Sequence, residues 1–285
     1  MHRALLLLCL PLAALCGLTS GDLPAYCLYN GQGDEVRFSK MVKTLAEADV
    51  VLFGEYHDNP IVHWLQLETA KALLEAKKDK LAIGMEMFES DDQVLLNEYF
   101  LGIVTERNFE KDCRLWPNYK TDYKPLLDLA RQNGLKFVAT NVPRRYASLV
   151  SQQGLTALQQ LPEASLAFLP PLPISFDLNQ KGYQEMLEMA NGNEFFPQAQ
   201  ALKDATMAYF ILQNREPGEC FLHLNGAFHS DRREGIAHYL LEADPTLKIA
   251  VVTTAQQADV EKFDPEYRGR SDFVVCVPES MTRTH

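Results

Sequence analysis

Two glutamates and two histidines lie within or directly after apolar, strand-like runs of the sequence. Glu55 and His57 are two residues apart, so an extended chain points both side chains to the same side. Glu86 stands alone in an apolar run, where a buried carboxylate is costly unless a partner pairs with it. Asn225 and Gly226 predict a turn or bulge that aims the following His229 at the other three.

If these four side chains converge, they allow two kinds of chemistry. Imidazole and carboxylate groups together bind a divalent metal ion such as zinc. Without a metal, the same groups act as general acid and base in a hydrolysis. The sequence contains neither the H-E-x-x-H zinc helix nor the G-x-S-x-G serine motif, so it leaves both alternatives open.

Five further residues are secondary candidates. His63 lies one helical turn beyond a proline and could face the same crevice, whereas Glu89 either joins Glu86 or is solvated. His223 lies inside a strand-like run, where a histidine is more often structural. Arg144 and Arg145 either hold an anion or face water at the start of a helix.

An aromatic stretch at residues 114–126 suits a large flat ligand. Tyrosinate binds ferric haem iron, tryptophan packs on a porphyrin face, and basic side chains pair with propionates. Aromatic loops also form hydrophobic plugs with no ligand, and that alternative stays open. The candidates are Trp116, Tyr119 and Tyr123, flanked by Arg114, Lys120 and Lys124.

The elements that must position these residues are short apolar runs separated by amphipathic stretches. The alternation predicts βαβ units and an α/β fold with a mostly parallel sheet flanked by helices. Such sheets place ligands at the carboxyl ends of their strands. The predicted strands are 50–53, 81–88, 136–140, 219–224, 248–253 and 273–277, and the predicted helices are 62–76, 91–100, 124–132, 197–214 and 231–241.

One region departs from this alternation. Residues 155–193 contain four prolines followed by a helical stretch rich in Met and Glu. Because proline fixes the backbone in extended or turn form, we interpret the region as an insertion that acts as a lid over the sheet. The alternative is a packing excursion without a lid role. With this insertion, residues 21–285 are predicted to form a single domain.

The N-terminus predicts a secretory signal peptide at residues 1–20. His2 and Arg3 precede the apolar run Ala4–Leu15, which is too short to span a bilayer. Cys16 is a candidate for a lipid anchor, but Leu15 precedes it where a lipobox has a small residue. Ordinary cleavage between residues 16 and 21 is the alternative.

Charge and cysteine content limit the function further. The net charge of −11 repels phosphate backbones, which predicts no nucleic-acid binding. An exported protein permits disulfides, and four cysteines beyond the signal region allow three pairings, with buried free thiols as the alternative. These cysteines are Cys27, Cys113, Cys220 and Cys276.

Four motifs together resemble the ChaN-like haem-binding lipoproteins, a family similar to Tiki-type proteases and erythromycin esterases. They are GEYHDNP at 54–60, GMEMFE at 84–89, WPNY…Y at 116–123 and NGAFH at 225–229. The resemblance implies bacterial export to the periplasm or outer membrane and a role in haem or iron uptake. It also implies a homodimer with stacked haems and an outer-membrane haem receptor as a partner.

The same resemblance implies that a tyrosine binds the haem iron. The matching positions are Tyr119 and Tyr123, with Tyr56 as a third candidate, and His57 and His229 as neighbours of the haem. Two hypotheses follow. The first and favoured one is a haem-binding protein of the bacterial cell envelope. The second is a hydrolase, with or without metal, that uses the four acid–base residues.

Overall fold

A single sheet of seven strands organises the protein in the computed structural model, which describes residues 22–285. The strand order is β1-β7-β6-β2-β5-β3-β4, and every neighbouring pair is parallel except β1 with β7. The prediction of an α/β fold is therefore confirmed. The strands are β1 Cys27–Asn30, β2 Val50–Glu55, β3 Leu81–Glu89, β4 Lys136–Asn141, β5 Cys220–Gly226, β6 Ile249–Gln257 and β7 Phe273–Pro278.

The helices fill the connections between strands. All five predicted helices are present, but the last begins at Ile236 rather than Asp231, because residues 231–233 form a separate 3₁₀ turn and Gly235 has a φ of 55°. The helices are α1 Phe38–Leu45, α2 Pro60–Lys77, α3 Gln93–Phe100, α4 Glu106–Asp112, α5 Lys124–Gln132, α6 Arg144–Gln153, α7 Lys181–Met189, α8 Phe195–Asn214 and α9 Ile236–Ala243. Among the helices of residues 22–285, none has the length and apolar character needed to cross a membrane.

Strand β2 shows why these runs are apolar throughout. Val51 and Phe53 belong to a core with α2 and α5, whereas Val50 and Leu52 face a second core with α8 and α9. All four side chains are fully buried. Because helices cover both faces of the sheet, alternate residues of each central strand enter different cores.

The region 155–193 divides into two parts. Its first part forms two 3₁₀ helices. Leu158 of the first helix and Leu169, directly after the second, pack with α6 and α8 in a small separate core. Its second part is α7, which lies at the carboxyl edge of the sheet and contacts α8. The first part is therefore a packing element, and only α7 is placed to cover a site. The lid role and the domain boundaries stay predictions.

The sheet register brings the candidate residues to one edge. Glu55 at the end of β2 is paired with Gly226 at the end of β5. On the other side of β5, Met85 of β3 is paired with Leu224, so Glu86 lies one residue further toward the same edge. The predicted signal peptide and Cys16 lie outside the described residues.

Candidate functional site

A pocket of about 1000 Å³ opens at the carboxyl edge of the sheet. Its wall includes all four predicted acid–base residues, Glu55, His57, Glu86 and His229, together with side chains of α7 and α8. The volume is at the upper end of the range for small-molecule sites. The sequence therefore predicted correctly that the four residues converge.

The first carboxylate–histidine pair is Glu55 with His57. The Nδ1 of His57 lies 2.8 Å from Glu55 Oε1, which also accepts a hydrogen bond from the hydroxyl of Tyr123 at 2.5 Å. Gln66 of α2 donates to Glu55 Oε2 at 2.7 Å. Burial alone would raise the pKa of Glu55, but the charge of His63 and the hydrogen bond from His57 lower it to about 2. The carboxylate is therefore ionised and fixed in place.

His57 keeps its other nitrogen on the pocket side. Its Nε2 and Glu86 Oε2 lie 3.0 Å and 3.5 Å from the position that a Cβ on Gly226 would occupy. A side chain at Gly226 would therefore displace the His57 ring and touch Glu86. Burial alone would lower the pKa of His57, but the hydrogen bond with Glu55 and the charge of Glu86 raise it.

The second group is a buried chain of Glu86, His229 and Asp204. His229 Nε2 lies 3.0 Å from Glu86 Oε1, and its Nδ1 lies 2.5 Å from Asp204 Oδ1. Glu86 Oε2 accepts the backbone N–H of Gly226 at 2.8 Å. Burial alone would raise the pKa of Glu86, but the charge of His229 holds it well below its usual range. Glu86 thus has the partner that its position in an apolar strand required.

The alternative prediction of a divalent metal at these four residues does not fit this arrangement. Both nitrogens of His229 face carboxylates, and both oxygens of Glu55 accept hydrogen bonds. Across residues 22–285, no group of three or more His, Cys, Asp or Glu side chains is placed to hold a metal ion. The donors pair with one another instead of facing a common point.

The secondary candidates lie behind or beside the pocket. His63 is buried and bonds Gln66 and the carbonyl of His57, so it supports the first pair without lining the pocket. His223 is buried between Thr140 and Asn225, and burial lowers its pKa to about 4, as expected for a structural histidine.

Glu89 is neither solvated nor joined to Glu86. Its Oε1 lies 2.5 Å from Arg144 Nε, and its Oε2 lies 2.8 Å from Arg114. Arg145 pairs with Asp91 at 2.5 Å. The arginines at 144 and 145 therefore bind carboxylates of the protein itself.

The aromatic stretch packs inward rather than onto the pocket wall. Residues 119–123 form a π-helical turn that buries the side chains of Tyr119 and Tyr123. Trp116 stacks edge-on against His57, with ring centroids 4.6 Å apart. Burial raises the pKa of Tyr119, and burial together with Glu55 raises the pKa of Tyr123, which disfavours a tyrosinate at either position. Their role as iron ligands stays a prediction that would require this turn to open.

The basic residues of that stretch are also paired with the protein's own acids. Lys120 lies 3.5 Å from Glu110, and Lys124 lies 2.7 Å from Asp128. Arg114 contacts Glu89 and Asp91, the same two carboxylates that pair with Arg144 and Arg145. The placement does not offer these cations to the propionates of a ligand in the pocket. The cysteines at 27, 113, 220 and 276 are free thiols.

Several pocket residues were not found from the sequence. The rim carries exposed apolar side chains, with Met189 58%, Phe228 53% and Phe196 42% exposed. Tyr267 also lines the pocket, together with Tyr56, which the sequence had already named as a candidate. The Met-rich stretch of α7 was a visible signal for the rim, but its position over the sheet depends on a contact with α8 that no local pattern reveals.

Comparisons with known proteins agree with this architecture. The family described as haem-binding uptake, Tiki superfamily, ChaN matches residues 41–240. The structure of cofacial heme binding to ChaN of Campylobacter jejuni matches with a TM-score of 0.68 at 18% identity, and the match covers 88% of this chain and 96% of that chain. A succinoglycan biosynthesis protein has a TM-score of 0.51 at 10% identity, covering 85% of this chain and 90% of its own.

One curated relative also matches. The chloroplastic protein RETICULATA-RELATED 5 of Arabidopsis thaliana is 25% identical over 185 residues, which are 59% of this chain. The match spans about a quarter of that protein's length.

Proposed function

The chain belongs to the haem-binding uptake family of the Tiki superfamily, which includes ChaN, and we propose that it binds haem in the pocket at the carboxyl edge of its sheet. The observation that carries this proposal is the apolar rim above a polar floor. Met189, Phe196 and Phe228 are all exposed, and all line a cavity of about 1000 Å³. Exposed apolar side chains gathered at a pocket mouth mark a ligand or partner site.

The residues of the pocket fit a porphyrin. The rim side chains would cover its flat apolar face, and burial of that surface is the main favourable term. When bound, haem would supply a ferric iron that a tyrosine side chain can ligate. Of the three tyrosines considered from the sequence, Tyr56 lines the pocket, so its placement favours Tyr56 as the iron ligand. Burial and Tyr56 raise the pKa of Tyr267, the other tyrosine on this wall.

We further propose that the protein acts at the bacterial cell envelope in haem handling. The apolar run Ala4–Leu15 supports export, and Cys16 is the candidate anchor. The Campylobacter relative is described with cofacial heme binding, and this supports the proposal that two copies of the present chain bring their exposed rims together around haem. A homodimer on loading and an outer-membrane receptor are part of this proposal.

The location of the haem site can be tested by adding charge to the rim. The double variant Met189→Glu and Phe228→Glu is expected to weaken ferric haem binding at least about tenfold, because two carboxylates would have to be desolvated against the porphyrin. The matched control is Val94→Glu with Leu101→Glu, which adds the same charge at side chains 68% and 76% exposed, away from the pocket.

Affinities come from titrations followed at the Soret band. A control that loses affinity as much as the rim variant would mean that overall charge sets binding. A rim variant with wild-type affinity would place the haem elsewhere.

A hydrolase is the second candidate function, and the geometry of His57 favours it. Its Nδ1 is held by an ionised carboxylate, and its Nε2 faces the pocket beside Glu86. A histidine oriented in this way is able to take a proton from water or a hydroxyl group. If this role exists, His57→Asn abolishes hydrolysis of an ester substrate, whereas equal rates for both proteins would exclude it.

A further inference from the structure

A buried aspartate that does not line the pocket contacts one of the pocket's histidines. Asp204 of α8 is fully buried, in a helix whose surrounding residues are mostly apolar. Its Oδ1 lies 2.5 Å from His229 Nδ1, and its Oδ2 accepts the hydroxyl of Tyr183 at 2.8 Å. A buried carboxylate needs this kind of charged or hydrogen-bonding partner.

The two carboxylates beside His229 favour a doubly protonated ring. An ionised carboxylate only accepts hydrogen bonds, so each nitrogen that bonds a carboxylate must carry a proton. With both carboxylates ionised, His229 carries one proton on Nδ1 toward Asp204 and one on Nε2 toward Glu86. Burial raises the pKa of Asp204, and the charge of His229 opposes that rise. The amide nitrogen of Gln200 lies 2.9 Å from Nδ1, and because it only donates hydrogen bonds, a doubly protonated ring requires the amide to turn its oxygen toward the ring. The ring is therefore a cation held between two anions, with no lone pair left for a substrate proton or an iron atom.

We propose that Asp204, whose second oxygen accepts the hydroxyl of Tyr183, is a positioning residue that locks His229 as an imidazolium directed at Glu86. His57, whose Nε2 faces the pocket, is then the imidazole that remains available for chemistry or ligand contact. The assignment divides the two histidines of the pocket into one structural cation and one functional base.

Tyr183 connects Asp204 to the helix that lies over the pocket. It belongs to α7, the helix that also contributes Met186 and Met189 to the wall. The contacts from Tyr183 through Asp204 to His229 therefore connect α7 to the charged pair of His229 and Glu86 in the pocket. That α7 covers a bound ligand rests on the proposed function, whereas the contacts of Tyr183, Asp204 and His229 do not depend on it.

The other charged groups around His229 are consistent with a locked cation. Glu86 approaches from β3 and Asp204 from α8, while His57 and the buried His223 of β5 act more weakly against its charge. Lys203 of α8 acts on Glu86 from the pocket side. Burial alone would lower the pKa of His229, but the charges of Glu86 and Asp204 raise it to about 9.

The test reads the protonation of His229 in the full protein without ligand. In nitrogen-15 NMR at about pH 8, where an ordinary histidine is neutral, about nine in ten wild-type molecules are expected to show a doubly protonated His229 ring. Asp204→Asn, which keeps the shape but removes the charge, is expected to lower the proton affinity of that ring at least about tenfold.

Asp122→Asn is the matched control, because Asp122 is also buried but lies near His63 in the other network. It should leave the His229 signals unchanged, and a shift equal to that of Asp204→Asn would overturn the assignment. If Asp204→Asn does not fold, the wild type still decides, since a neutral His229 at about pH 8 contradicts the proposal.

Tyr183→Phe completes the test, because it removes a hydroxyl and leaves both carboxylates. His229 should stay charged in this variant, and a neutral ring would show that Asp204 alone does not hold the proton. No haem is present in any of these samples. A neutral ring would overturn this inference and leave haem binding standing, whereas a failure to bind haem would leave the NMR result intact.

Discussion

Replacing Glu86 with glutamine is expected to lower the free energy of unfolding by about 3 kcal/mol at neutral pH. Both members of the pair with His229 are only 5% exposed, so water cannot replace the lost charge. Glu86 also accepts the backbone N–H of Gly226, a contact that an amide oxygen can keep. The expected loss therefore comes from the ion pair, and Asp204 limits it by keeping one anion beside His229.

Urea unfolding of both proteins measures this loss. The control is Glu185→Gln, which lines the same pocket and pairs with Arg232 but has a side chain 35% exposed. An exposed pair of this kind contributes roughly 0–1 kcal/mol. If Glu86→Gln and Glu185→Gln lower the free energy of unfolding equally, the pair of Glu86 and His229 does not act as a buried ion pair.

Replacing Glu55 with glutamine is expected to give a loss of stability that depends on pH. The pKa of Glu55 is lowered to about 2 in the folded protein, despite burial, because His63 and His57 favour its charged form. A carboxyl group with a lowered folded pKa stabilises the protein above its unfolded pKa, and that contribution disappears as the pH falls through the folded value. The shift corresponds to about 3 kcal/mol at neutral pH, since one pKa unit is about 1.4 kcal/mol.

The measurement compares wild type and Glu55→Gln by urea unfolding between about pH 7 and pH 3. The difference in unfolding free energy should shrink by about 2 kcal/mol over that range, because below its ordinary pKa the carboxyl group takes up a proton in the unfolded chain while the folded protein still keeps it ionised. Titrations shared by both proteins cancel in the difference. A difference that stays constant would show that Glu55 is stabilised by packing alone.

The sheet was predictable because its strands carry a strong local signal. Runs such as Val50–Phe53 are apolar at every position, which only a strand covered on both faces requires. Strand β1 escaped prediction because it has four residues and pairs with β7, whose partner residues lie near the other end of the chain. Such a pairing leaves no mark in a local pattern.

The acid–base residues were predictable for a related reason. The carboxyl ends of parallel strands meet at one edge, so polar residues at the ends of β2, β3 and β5 had to converge. Asp204 was missed because it lies in a helix, where one acid among apolar residues resembles part of a solvated face. In the structure that helix is buried around much of its circumference. Asp204 is therefore a carboxylate among buried apolar residues that requires a partner, as Glu86 is.

The orientation of Tyr119 and Tyr123 could not be derived from residue types. The sequence placed both in a stretch suited to haem, but the π-helical turn over 119–123 directs them into the core. The direction depends on the hydrogen bond of Tyr123 to Glu55, a residue 68 positions away. A local sequence pattern fixes neither the turn type nor that contact.

The most direct test of the proposed function is a titration of the purified wild-type protein with ferric haem, followed at the Soret band. We expect a saturable, shifted band with the character of a tyrosinate ligand, at about one haem per chain. A band that never saturates, or that matches free haem throughout, would contradict haem binding. A hydrolase that uses His57 would then be the remaining candidate function.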